Sequence, residues 1–161
     1  MPDPIVQKYL DLIKANTTGI KAFYNGFIAR VPVSLLPAVM ITIEKTEAAD
    51  MSNVEDEHRI SLVLTYIADI RQDLENSALI QVGLSNVLEK LVGRDSDYKL
   101  KTSSILYILR HNVNLDTSKN LRTDVGSFSV ATPSEIATGR IPGNWSAEGT
   151  IRFNAHFYQE R

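Results

Sequence analysis

The sequence predicts an α+β domain in which an antiparallel-rich mixed sheet of four to five strands carries two to three helices, packed mainly on one face. The stretch "EHRISLVLTYIADI" predicts a strand because its alternate residues form an apolar row from Ile60 to Ile70. The final stretch "GTIRFNAHFYQER" alternates in the same way. "NSALIQVGLSNVLEKLVGRD" instead places its apolar residues at helical spacing. At 161 residues the chain is most economically one domain, residues 1–161.

The first half of the chain predicts a helix followed by three extended segments. "DPIVQKYLDLIKANTTG" predicts a helix with Pro4 in its first turn and Gly19 at its end. "IKAFYNGFIARV" predicts an extended segment with a bend at Gly26. A strand then begins at Pro37 in "LPAVMITIEKTEA", and an acidic connection leads to the strand over residues 58–70.

The second half predicts two helices and two strands, in the overall order α-β-β-β-α-α-β-β. Asn76 or Ser77 can cap the first of these helices, and Gly93 suits its C-terminal end. A second helix is predicted in "TSSILYILRHN". "DVGSFSVATPSEIATG" predicts an edge strand interrupted near Pro133, and the terminal strand is predicted from about Ser146 to Gln159.

The composition excludes several classes of function. A net charge of −2 gives no strong field to recruit nucleic acid or an acidic membrane. The absence of cysteine excludes disulfides, thiolate catalysis and cysteine-based zinc sites, and it suits a protein made in a reducing cytoplasm. The N-terminus lacks the regions of a signal peptide, and no apolar run approaches the roughly 20 residues that span a bilayer.

Catalytic motifs are missing from the sequence. It contains no phosphate-binding loop, dinucleotide fingerprint, H-E-x-x-H or G-x-S-x-G pattern. His58, His111 and His156 lie far apart, without the close spacing that favours a metal site. We therefore predict no catalytic residue, no metal site and no cofactor.

The polar side of the terminal strand is the first candidate for an interaction surface. It carries Arg152, Asn154, His156 and Tyr158. Arg and Tyr are enriched at protein interfaces because each offers a large contact area together with hydrogen bonds. The otherwise polar side of the 58–70 strand carries Val63 and Ile67, so a further layer or another molecule would cover it. These six residues are candidates for a subunit interface, and simple solvent exposure is the alternative for the terminal strand.

The acidic segment "EKTEAADMSNVEDE" is the second candidate. It could be a solvated hairpin loop or a cation site, although it lacks the alternating aspartates of a calcium loop. It could also face a conduit or a partner, where its charge would repel DNA phosphate. Its acidic residues are Glu44, Glu47, Asp50, Glu55, Asp56 and Glu57.

The whole chain, residues 1–161, resembles the tail terminator, or tail completion, proteins of long-tailed bacteriophages. An N-terminal helix and an extended segment lead to "LPAVMITIE", which resembles the start of the first long strand in that family. The acidic connection, the alternating strand "EHRISLVLTYIADI", the helix "ALIQVGLSNVLEKL" and the closing "GTIRFNAHFYQER" follow in the family's order. The match lies in arrangement more than in signature residues.

The resemblance implies a structural role without catalysis. Such proteins form a six-membered ring on the last ring of the tail tube, stop its polymerisation and present the surface that docks on the filled head. The implied partners are further copies of this chain, the tail tube protein, the head-completion protein and the end of the tape-measure protein. DNA only passes through the hole, and no membrane is involved. The implied location is the neck of the virion tail, after assembly in the host cytoplasm.

Three other functions remain open from the sequence. A head-completion stopper or other neck connector shares the size and broad class of a terminator. A small enzyme could use the acidic segment together with His58 or His111. An adaptor domain unrelated to phage is the third alternative. In the terminator interpretation, the acidic segment lies at a luminal or axial surface, and the terminal strand contacts a subunit or the tube.

Overall fold

The computed structural model describes residues 2–50, 55–69, 77–131, 137–141 and 144–160. Three α-helices lie in this part of the chain: α1 (Pro4–Asn16), α2 (Ser77–Val92) and α3 (Ile105–His111). The strands are β1 (Ala22–Asn25), β2 (Ala38–Asp50), β3 (Glu55–Asp69), β4 (Asn114–Asp116), β5 (Leu121–Ala131), β6 (Ala137–Ile141) and β7 (Asn144–Glu160).

One mixed sheet contains all of these strands. Six of them follow the order β1-β2-β3-β7-β5-β4, and β6 pairs with the start of β7 as a seventh. β1 is parallel to β2, whereas the other pairs are antiparallel. The predicted α+β class and the mixed sheet are confirmed. The predicted number of four to five strands is too low for two reasons. The three residues of β4 are too few to show an alternating pattern, and the stretch predicted as one interrupted strand near Pro133 forms two strands, β5 and β6.

The helices cover one face of the sheet. α1, α2 and α3 share a single core cluster with the apolar rows of β2, β3, β5 and β7. The row on β3 runs from Ile60 to Tyr66, and the row on β7 includes Ile151, Phe153 and Ala155. The alternation in the sequence therefore identified the inward-facing residues of both long strands correctly.

Short polar side chains cap the starts of α1 and α3. The carboxylate of Asp3 accepts hydrogen bonds from the backbone N–H groups of Ile5 and Val6 at the start of α1. The hydroxyl of Ser104 accepts a hydrogen bond from the backbone N–H of Tyr107 at the start of α3. Inside the core, Tyr9 Oη lies 2.6 Å from Thr123 Oγ1, and burial raises the pKa of Tyr9 to about 12.

The connection between β1 and β2 covers part of the other face. Parallel neighbours need a crossover of a dozen or more residues, and residues 26–37 supply it. Val31 and Leu36 of this connection pack against Ala38, Met40 and Ile67 in a second small cluster. Ile67 is 0% exposed there, so its proposed place in a subunit interface is wrong. The layer that was predicted to cover this side of β3 is supplied by the connection between β1 and β2.

The acidic segment is mostly strand and not a loop, which corrects the sequence-based interpretation. Glu44, Glu47 and Asp50 belong to β2, and residues 55–57 belong to β3. The two strands pair up to Asp50 and Asp56, and β7 pairs with β3 as far as Glu160. We call residues 43–50, 55–59 and 156–160 the three-stranded arm. None of its described side chains is buried.

Gly149 allows α2 to approach β7 closely. A Cβ atom at this position would overlap with Leu91 Cδ1 and lie 3.1 Å from Val87 Cγ1, and both side chains are fully buried. Gly149→Ala is therefore expected to lower the free energy of unfolding by about 1–3 kcal/mol, measured by urea denaturation.

The matched control for this prediction is Gly126→Ala, where the nearest atom to a new Cβ would be Asp124 Oδ1 at 3.5 Å. We expect the control to be close to neutral. Combining Gly149→Ala with Leu91→Ala should cost less than the sum of the two single changes, because the shortened side chain makes room for the methyl group. If the two changes in the free energy of unfolding were strictly additive, the close approach of Leu91 to position 149 would be contradicted.

Candidate functional site

A polar face of the sheet lies uncovered on the side opposite the helices. Its residues come from four neighbouring strands, and residues paired across antiparallel strands point to the same side. We call it the open sheet face. Its members are Glu44, Lys45, Glu47, Glu57, Arg59, Ser61, Val63, Arg122, Asp124, Ser129, Arg152, Asn154, His156 and Tyr158.

Strand register arranges these side chains in rows across the sheet. Glu47, Arg59, His156 and Arg122 form one row over β2, β3, β7 and β5. The adjacent row runs from Lys45 through Ser61 and Asn154 to Asp124, and a third joins Val63, Arg152 and Ser129. Acidic and basic groups therefore lie in the same and in neighbouring rows, so that the face carries both signs of charge in close proximity.

Ion pairs link these charges. Arg59 donates two hydrogen bonds to the carboxylate of Glu57, at 3.2 Å from Nε and 3.4 Å from Nη2, and this contact raises the pKa of the Arg59 guanidinium. Arg152 Nε lies 3.6 Å from Glu44 Oε2. The ammonium group of Lys45 holds the pKa of the Glu47 carboxyl below its usual value. Exposed pairs of this kind contribute little to folding, so their side chains remain available for a partner.

A bulge in β5 forms one border of the open sheet face. The pairing of β5 with β7 shifts between Asp124 and Ser129. In this interval Asp124 Oδ1 accepts a hydrogen bond from Gly126 N at 3.1 Å, and Ser127 Oγ accepts one from Asn154 N at 2.8 Å. The bulge leaves Val125 exposed next to the polar residues.

The structure brings the two predicted sets of site residues together. Arg152, Asn154, His156 and Tyr158 share one face with Val63, as the alternation predicted. Glu44, Glu47 and Glu57 join them on that face. Asp56 lies on the other side of the sheet, in register with Asp50 and Gln159. Glu55 is the first residue of β3 and pairs with Glu160 near the end of β7. A luminal or axial position of these acidic residues stays a prediction.

The three histidines each contact an aromatic ring, at three separate places. His58 stacks on Phe157 with ring centres 4.8 Å apart, on the side of the sheet away from His156. His111 stacks on Tyr107 at 3.8 Å in α3, and His156 meets Tyr158 edge-on at 6.1 Å. Over the described ranges of the chain, no group of three histidine or acidic side chains could hold a metal ion.

Six residues of the open sheet face were not singled out from the sequence as site candidates: Lys45, Arg59, Ser61, Arg122, Asp124 and Ser129. Arg59 and Val63 are separated by an even number of positions in β3, so strand alternation places both on the same face. This alternation was the signal in the sequence that could have identified Arg59. Arg122 and Asp124 alternate with the buried residues Leu121 and Thr123, a pattern too short to identify the strand's start. The position of β5 beside β7 depends on the three-dimensional pairing.

Comparison with known proteins adds no family to this description. The chain matches no protein-family model and no curated protein. None of the helices in the described residues has the length and apolar character needed to cross a membrane.

Proposed function

We propose that this protein is a tail terminator of a long-tailed bacteriophage, which assembles as a hexameric ring on the end of the tail tube and catalyses no reaction. Its partners in this role are its own copies, the tail tube protein, the head-completion protein and the end of the tape-measure protein. The resemblance over residues 1–161 supplies the identity of the assembly. The observation that carries the proposal is the open sheet face, which is built for contact rather than for chemistry.

The character of the open sheet face supports this role. Arg59 and Arg152 are exposed, and Tyr158 is half-buried beside them. Such groups dominate the binding energy of protein interfaces once water is excluded around them. The face is also rigid, because β7 is paired on both sides by β3 and β5. A flat and pre-ordered surface loses little conformational entropy when a partner binds.

The three-stranded arm is a second feature in favour of assembly. Strand pairs without a hydrophobic layer are marginally stable in water. The arm has no buried side chain among its described residues, yet it continues the same strands that cross the core. Phe157 packs against the border of the core, and a neighbouring subunit or the tube would cover the rest of the arm. Its acidic residues would then lie close to the path of DNA without binding phosphate.

A closed ring requires two different surfaces on each subunit, because the contact is head-to-tail. With strands about 4.8 Å apart and residues about 3.3 Å apart, the face between Arg152 and Tyr158 covers roughly 20 by 23 Å. This projected area is on the order of half of the roughly 800 Å² that a stable contact takes from each partner. The ring contact therefore needs a further surface.

Electron microscopy of the concentrated protein, alone and with tail tubes, tests the proposal. We expect closed rings with a hole wide enough for duplex DNA, either free or at one end of the tubes. Tails made without this protein should grow too long. Tails of normal length with heads that leak DNA would instead identify a head-completion stopper and would overturn the terminator assignment.

A further inference from the structure

Two aromatic side chains, Phe27 and Tyr98, are strongly exposed on the described part of the chain, and Tyr98 is the more exposed of the two. Tyr98 is 82% exposed and follows the end of α2. Its φ angle is +64°, a left-handed conformation that is uncommon for a bulky residue. An exposed aromatic ring in such a conformation suggests a functional constraint on its position.

The turn around Tyr98 fixes the direction of its side chain. Asp95 Oδ1 accepts hydrogen bonds from Asp97 N at 2.9 Å and Lys99 N at 3.1 Å. Tyr98 N donates to Asp95 O at 3.1 Å, and Arg94 Nη1 donates to Tyr98 O at 2.8 Å. The ring is therefore presented to solvent on an ordered support, and its binding would cost little backbone entropy.

A small apolar pocket lies elsewhere on the helix side of the molecule. Pro4, Ile5, Leu121 and Phe157 supply its apolar lining, and its volume is about 150 Å³. A cavity of roughly 150 Å³ lined by such side chains admits a benzene ring. The pocket is therefore large enough for the ring of a tyrosine.

Charged groups surround the opening of this pocket. Lys8 Nζ lies 3.7 Å from Asp116 Oδ2, and Lys119 belongs to the same lining. The Tyr98 turn carries both signs of charge, with exposed Asp97 before the tyrosine and exposed Lys99 after it. Both signs have counterparts at the opening, where Asp97 complements the lysines and Lys99 complements Asp116, and the phenol hydroxyl can hydrogen-bond at the polar rim.

The ring and the pocket lie at opposite ends of α1. Pro4, Ile5 and Lys8 are in its first turns. Near its other end, Thr17 Oγ1 accepts a hydrogen bond from Lys90 Nζ at 2.6 Å, close to the end of α2 from which the Tyr98 turn leads. α1 is about 20 Å long, so Tyr98 cannot reach the pocket of its own chain.

We propose that Tyr98 of one copy inserts into the pocket between α1 and β5 of the next copy. A protrusion and a pocket at separate places on one molecule make a head-to-tail contact, which closes into a ring when the rotation per subunit allows it. The pocket lies on the opposite side of β7 from the open sheet face, because Phe157 points away from His156 and Tyr158. The contact supplies the further surface that the proposed ring needs, and in that sense it rests on the proposed function.

Sedimentation velocity over concentrations up to about 1 mM tests this contact in solution. The wild-type protein should self-associate, and Tyr98→Ala should weaken the association by about 30-fold or more, the effect of a hot-spot residue. Tyr98→Phe is the matched control, because it retains the ring, and it should associate to within a few-fold of the wild type. Tyr98→Ala should keep the melting temperature, since the side chain is exposed.

Mixing two variants tests the direction of the contact. Lys8→Trp, at an exposed position, places an indole at the pocket and blocks it. Tyr98→Ala and Lys8→Trp should each be monomeric, whereas an equimolar mixture should form a heterodimer and nothing larger. The Lys8→Trp variant retains Tyr98, and the Tyr98→Ala variant retains an open pocket. The mixture can therefore form one contact, in which Tyr98 of the Lys8→Trp variant inserts into the pocket of the Tyr98→Ala variant.

The outcomes separate the contact from the proposed function. Unchanged association of Tyr98→Ala, a mixture that stays monomeric, or a wild-type protein that is monomeric at about 1 mM each overturn the contact. If tail length still depends on the protein in those cases, the terminator role stands without this contact. If the contact is found and tail length does not depend on the protein, the terminator role is overturned and the contact between copies stands.

Discussion

The double variant Arg152→Ala/Tyr158→Ala is expected to lose ring formation while its melting temperature stays close to that of the wild type. The Arg152 side chain is 55% exposed and its ion pair with Glu44 is 3.6 Å long, so little folding energy depends on it. Tyr158 contacts His156 near the C-terminal end of β7 and is in register with Glu57 of β3. Because both residues lie on the open sheet face, their truncation removes contact area and hydrogen bonds only in the assembled state. We expect the association constant to fall by about 100-fold or more.

The matched control is Tyr107→Ala/Arg110→Ala in α3. It removes the same two residue types at similar exposure, with Tyr107 half-buried against His111 and Arg110 exposed. These residues lie on a helix that packs on the other side of the sheet. Sedimentation velocity and thermal denaturation of both double variants provide the comparison. A large loss of melting temperature in the first variant, or equal loss of rings in both, would show that Arg152 and Tyr158 do not form the ring contact.

The long elements of the fold were predictable because each one shows its own periodicity. β3 and β7 extend over 15 and 17 residues, and their buried rows follow from simple alternation. α1 and α3 carry capping residues next to an apolar stripe. β4 and β6 have only three and five residues, and their strand state depends on the neighbour with which they pair. Tertiary pairing therefore made β4 a strand and separated β6 from β5, whereas the sequence predicted no strand at β4 and a single interrupted strand over β5 and β6.

The candidate site was predictable only within single strands. The alternation in β7 was sufficient to place Arg152 and Tyr158 on one face. It could not show that Ile67 is covered, because the covering residues Val31 and Leu36 precede it by about thirty positions in a crossover connection. Similarly, the row that joins Glu47, Arg59 and Arg122 exists only through the register of four strands. Tyr98 gave no signal in the sequence, since its exposure and backbone angle are tertiary properties.

Phe153→Ala should cause the largest loss of folding stability that we predict, about 3–5 kcal/mol in the free energy of unfolding. Phe153 is 1% exposed at the centre of the core. Its ring meets Tyr9 edge-on at 4.9 Å and Phe128 at 5.7 Å. Truncation leaves a cavity between α1, β5 and β7 and removes both aromatic contacts. Native domains are stable by only about 5–15 kcal/mol, so we expect a drop in melting temperature of roughly 6–20 °C.

Arg152→Ala is the control for this prediction, because it changes the preceding residue of the same strand on the opposite face. We expect it to shift the free energy of unfolding by less than about 0.5 kcal/mol. A slip of β7 by one residue would exchange the two faces, so that Arg152 would point to the helices and Phe153 to the solvent. In that case Arg152→Ala would lower the free energy of unfolding more than Phe153→Ala. The order of the two measured values thus tests the register of β7, on which the open sheet face and the proposed assembly both depend.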